Sequence, residues 1–143
     1  MRRPGKGRFS VKWREQADLL IEKARQDLYI PRAHAADPEV SDDTWGFHAQ
    51  QAVEKFLKSI LSRRQAHDPF THRLSTLADL LAESGVPLPA CFDALLDLTP
   101  YAVELRYSVL PRDPSEKPLD RAEIIRLISL LAEPAINGHF PAI

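Results

Sequence analysis

The chain has 143 residues, of which 27% are charged, and a formal net charge of −1. That length suits one domain with an ordinary hydrophobic core, and the near-neutral balance excludes both a polybasic nucleic-acid binder and an acidic disordered segment. Its single cysteine, Cys91, excludes an internal disulfide and a cysteine-rich zinc site, and makes a reducing cytoplasm the expected location.

Apolar periodicity predicts helices throughout, and no strand-length alternation of apolar and polar residues appears, so the expected fold class is all-α. The first helix is expected over residues 11–30, with Trp13, Ala17, Leu20, Ile21, Ala24 and Leu28 on one stripe and Pro31 as its stop. A connector rich in alanine and acidic residues then ends in Ser41-Asp42-Asp43, suited to capping a second helix over residues 44–64. In that helix Ala49, Ala52, Val53, Phe56, Leu57, Ile60 and Leu61 share a broad buried face. His48, Gln51, Lys55, Lys58 and Ser62 form a polar row, either a binding surface or a wet one.

Thr71 is expected to cap a third helix that buries Leu74, Leu77, Ala78 and Leu81, with Gly85 in its C-terminal turn. The fourth helix carries Phe92, Leu95, Leu96, Thr99, Val103 and Arg106 near one phase. Pro100 removes a backbone donor in its middle, which predicts a kink or a stop at Leu98 with Thr99 as the new cap. Asp120-Arg121-Ala122-Glu123 reads as a capping box for a last helix burying Ile124, Leu127, Ile128 and Leu131, ended by Glu133-Pro134. Short connections and the absence of an internal repeat favour an up-and-down antiparallel bundle of about five helices. The expected organisation is a flexible basic arm over residues 1–10, the bundle over 11–133 and a tail over 134–143. The apolar run at 124–132 contains Arg126 and is shorter than the ~18 residues a membrane span needs, so no membrane role is expected.

Most residues have a bland reading beside a sharp one. Trp13, Phe56 and Phe92 are core residues, Tyr101 and Tyr107 belong at a helix or dimer seam, and Cys91 is expected to be buried or idle. Arg106, at an apolar phase, requires a carboxylate, a carbonyl cluster or a ligand. Glu54 either pairs with Lys58 one turn on or holds Arg106 across the bundle. His48, Gln51 and Lys55 either address an anion in one cleft or form a solvated face. His67 and His72 flank a turn and lack metal-ligand spacing, so neither a metal nor a catalytic role is expected for them.

The arrangement resembles the HEPN domain family of small helical bundles. The resemblance is carried by Phe47-His48-Ala49-Gln50-Gln51-Ala52-Val53-Glu54-Lys55-Phe56-Leu57-Lys58, by Thr71-His72-Arg73-Leu74, by Leu105-Arg106-Tyr107, and on the first helix by Trp13, Ala17, Asp18, Leu19 and Ala24. It implies a homodimer, often encoded beside a minimal nucleotidyltransferase, with a nucleotide or RNA site in the groove between subunits. Many members are metal-independent endoribonucleases acting as toxins or defence effectors, in which an arginine is followed by four to six residues and then a histidine. Here Arg106 is followed by Tyr107, Ser108, Val109, Leu110, Pro111, Arg112 and Asp113, with no histidine among them. Arginine holds phosphate but does not act as a base, and tyrosine titrates near pH ~10. The sequence therefore points to a non-catalytic binding or partner module without a cofactor, its ligand groove formed by Arg106, Tyr107, Glu54, Lys58, Lys55, Gln51 and His48. An endoribonuclease using His48 or Tyr107 in place of the missing base is the alternative, and a structural dimerisation domain with an empty groove is the third reading.

Overall fold

A computed structural model describes residues 6–66, 70–102 and 117–137, with side chains from residue 12 onward. Five α-helices are present among these residues and no strand: α1 (Lys6–Ala33), α2 (Asp42–Arg63), α3 (Leu74–Glu83), the one-turn α4 (Asp93–Leu96) and α5 (Arg121–Asn137). The all-α bundle expected from periodicity is what the chain forms.

α1 buries Ala17, Ile21, Ala24 and Leu28, whose spacings of four and three place them on one stripe. The helix reaches further at both ends than the sequence suggested. It begins at Lys6, inside the segment expected to be a flexible arm, and Pro31 lies within its last turn instead of stopping it. Proline is compatible with that turn because helical hydrogen bonding resumes beyond it, His34 N–H donating to Ile30 O at 3.1 Å. The Pro31 carbonyl is also used, accepting the indole N–H of buried Trp45 at 3.1 Å.

α1 and α2 are antiparallel. Trp45 meets Pro31 near one end, Lys55 meets Asp27 in the middle, and Ser62 Oγ donates to Trp13 O at 2.9 Å near the other. Ser41 caps α2 as expected, its Oγ accepting from Thr44 N–H at 3.2 Å, while Asp42 and Asp43 place negative charge in the first turn. α2 packs against α1, α3 and α5 and supplies much of the core. Gly46 is where the Tyr101 ring crosses α2: a Cβ there would lie 2.6 Å from Tyr101 Cδ1.

Thr71 does not cap α3. Its Oγ1 accepts from Arg73 N–H at 3.1 Å, and the first amide of the helix, on Leu74, donates to Thr99 Oγ1 at 3.2 Å. Leu74, Leu77 and Leu81 are buried and Ala78 is half-buried. Gly85, at φ +85°, closes α3 in a Schellman arrangement, with Val86 N–H on Leu81 O at 2.9 Å and Gly85 N–H on Ala82 O at 3.1 Å. The fourth helical segment is bent into short pieces: a 3-10 turn at Ala90–Phe92, α4, and a second 3-10 turn at Thr99–Tyr101 that takes Pro100 at its start. Phe92, Leu95 and Leu98 are buried, and of the two readings of Cys91, buried or idle, burial is not observed: it is exposed. Val103, Arg106 and Tyr107 lie outside the described residues.

Asp120 caps α5, accepting from Glu123 N–H at 3.1 Å, but Glu123 pairs with Arg126 instead of completing the capping box. Pro134 does not end α5. The helix continues to Asn137 with Pro134 and Ala135 buried, so residues expected in the tail belong to the bundle. Arg121 fixes the start of α5 to the α1–α2 connector. Its guanidinium donates to the carbonyls of His34 (3.1 Å), Asp37 (3.2 Å) and Val40 (2.5 Å) and to Asp42 Oδ1 (3.0 Å), and it sits 5.4 Å from the Trp45 ring centroid. In the same connector His34 Nδ1 lies 3.0 Å from Asp37 Oδ2; the His34 bond, followed by the Glu39 backbone N–H, holds the Asp37 carboxyl below the usual aspartate range.

Candidate functional site

The polar row of α2 is not a uniformly wet face. Ser62 is buried and bonded to α1, Lys55 is paired with Asp27 of α1, and His48, Gln51 and Lys58 are half-buried. His48 packs its ring edge-on to Phe47, with centroids 5.2 Å apart. Lys55 is thereby committed to the α1–α2 seam, while Gln51 and Lys58 join a second cluster centred on Glu54.

Glu54 is only 5% exposed. A carboxylate so placed is costly unless its oxygens are engaged, and here they are. Oε1 lies 2.7 Å from His72 Nδ1 and 3.3 Å from Gln50 Nε2, while Oε2 lies 3.6 Å from Lys58 Nζ. Gln50, fully buried one turn before Glu54, also donates from Nε2 to the His72 backbone carbonyl at 3.2 Å, and its own Oε1 accepts from Gln51 Nε2 at 2.7 Å. Both the ring and the backbone of His72 are thus fastened to α2.

These bonds fix the chemistry of the imidazole. A carboxylate only accepts hydrogen bonds, so in this contact His72 Nδ1 is the donor toward Glu54. The His72 side chain is 53% exposed, against 6% for Glu54 and 15% for Lys58. A buried acid therefore holds one ammonium and one partly solvent-facing imidazole at the edge of α2.

Of the seven residues singled out in the sequence, the structure brings Glu54, Lys58 and Gln51 together, directs Lys55 to Asp27, and leaves His48 against Phe47. Arg106 and Tyr107 lie outside the described residues. The paired reading of Glu54 and Lys58 is observed. His72 and Gln50 were missed as site residues. The signal for Gln50 was available: Glu54 falls at the helical phase of Leu57 and Leu61, which marks a buried acid in need of partners, and Gln50 is four residues before it, whereas no spacing pointed to His72. An open groove of about 620 Å³ lies elsewhere, lined by residues that include Asp18, Ile21, Arg25, Tyr29, Arg63 and Ile136 and by none of the five of these seven that are described. Among the described residues no group of histidine, cysteine, aspartate and glutamate has the arrangement of a metal site, and no helix is long and apolar enough to cross a membrane.

Fold and cluster together describe a small all-helical domain with a charged, histidine-bearing edge on its central helix. The sequence matches the model of the HEPN domain over residues 10–133, and the chain belongs to that family. No curated protein and no solved structure matches it.

Proposed function

We propose that the chain is a non-catalytic HEPN module that binds the phosphate of a nucleotide or an RNA in a groove between two copies and associates with a nucleotidyltransferase. The supporting observation is the Glu54 cluster, in which a buried carboxylate organises Lys58 and His72 at a half-exposed edge of α2. Such a carboxylate holds Lys58 and His72 in place before a ligand arrives, which lowers the ordering cost of binding. Family membership supports the nucleotide or RNA class, and the lack of a histidine after Arg106 supports binding over cleavage. Calorimetric titration of the full chain with AMP, ATP and the dinucleotide UpU, beside light scattering for the dimer, tests this reading. Heats of binding from at least one phosphate ester are expected; flat traces for all three would overturn it.

A second reading, metal-independent endoribonuclease activity at a rearranged site, is favoured by one observation. His72 is an imidazole oriented by a buried acid, the arrangement a general base needs. It predicts RNA cleavage that survives chelator and is lost in His72→Gln, and an inert wild-type protein would exclude it.

A further inference from the structure

We infer that His72 supplies the net positive charge of the Glu54 cluster, so that an anionic phosphate ester binds there together with a proton. This rests on the phosphate-binding reading above and adds the residue and its protonation state.

Charge balance carries the argument. Glu54 and Lys58 face one another at 3.6 Å and cancel, and Lys55 is balanced by Asp27 on the neighbouring helix. With a neutral imidazole these two pairs together carry no net charge. Protonating His72 adds one positive charge on the most exposed member of the cluster while keeping Nδ1–H on Glu54. Imidazole is also the side chain here whose charge changes near neutral pH. Among the described residues the imidazole is bonded to Glu54 on α2, which in turn faces Lys58, and the exposed Arg73 is its neighbour in the chain. His34, which sits in the α1–α2 connector with its Nδ1 3.0 Å from Asp37 Oδ2, is the control.

Linkage makes the inference measurable. If the anion prefers the imidazolium, the imidazolium prefers the anion, and the histidine titrates at a higher pH in the complex than in the free protein. Affinity is then greatest in acid. It falls about tenfold per pH unit as pH climbs from the first titration point to the second, and levels off above it. A phosphodiester is the probe of choice, because its single charge does not itself titrate in this range.

The experiment is titration of the full chain with UpU between about pH 5.5 and pH 8, on wild type, His72→Gln and His34→Gln, with ring-nitrogen NMR of the histidines in parallel. The inference expects the pH slope in wild type and in His34→Gln, a flat profile in His72→Gln, and an upward shift of the His72 titration on adding UpU. The NMR arm needs no variant and stands even where His72→Gln folds poorly. Binding whose strength ignores pH, or a slope that persists in His72→Gln, overturns this inference and leaves phosphate binding intact. Absence of UpU binding at every pH overturns the inference, and with silent AMP and ATP the proposed function as well.

Discussion

Arg121→Ala is the sharpest test of how the bundle is held. The guanidinium bridges α5 to three carbonyls of the α1–α2 connector and to Asp42, and the two side chains of the ion pair are only 15% and 14% exposed. Removing one partner of such a pair costs roughly 3–5 kcal/mol because the remaining acceptors are left poorly solvated. Water entering the vacated space recovers part of this, and the loss of the contact with Trp45 adds up to about 1 kcal/mol. A net loss of about 3 kcal/mol is therefore expected. At ~3 °C per kcal/mol for a chain of this size, the melting temperature falls by about 10 °C. Arg121→Lys keeps the charge near Asp42 but cannot reach the carbonyls together, and loses about 1.5 kcal/mol. Urea melts at constant m-value are the assay. A loss under about 1 kcal/mol for Arg121→Ala, the value of an exposed pair, would refute the reasoning.

Gly46→Ala places a Cβ at 2.6 Å from the Tyr101 ring, so a destabilisation of about 1 kcal/mol is expected despite the better helix propensity of alanine. In a Tyr101→Ala background the same change becomes stabilising, as paired thermal melts read directly. Gly85→Ala forces a side chain into the left-handed conformation at φ +85° and costs about 1 kcal/mol, with Gly85→Asn losing less in the same urea melts. Asp37 has its pKa lowered in the folded state, chiefly by His34. Its contribution is therefore present above the unfolded pKa and lost as pH falls through the folded one. Urea melts across pH should show the gap between wild type and Asp37→Asn constant above about pH 5 and closing in stronger acid.

The helices were legible because each buries a stripe at helical spacing: Ala17, Ile21, Ala24 and Leu28 on α1, and Leu74, Leu77 and Leu81 on α3. Their ends were less so. Pro31 and Pro134 read as stops, yet each helix continues past its proline, to Ala33 and to Asn137, forfeiting only the one N–H bond that proline lacks. Trp45 was absent from the expected core because it precedes the main apolar run of α2, and it is fully buried with its indole N–H satisfied. Within the candidate site, the Glu54–Lys58 pair followed from four-residue spacing. The His72 contact joins residues 18 apart across a loop, which no helical period encodes. Arg121 was read only as part of a capping box, since a guanidinium meeting three carbonyls of a connector 81 to 87 residues away leaves no local pattern.

The pairing of α1 with α2 also bears on the order in which the chain assembles. The two helices are neighbours in sequence, so their hairpin closes a short loop at small entropic cost. The ties of α5 bridge far longer intervals, Arg32 donating to Ser129 across 97 residues. The hairpin is thus expected to be formed in the folding transition state and α5 to dock afterwards. Weakening the Arg32–Ser129 contact should then accelerate unfolding while leaving the refolding rate nearly unchanged.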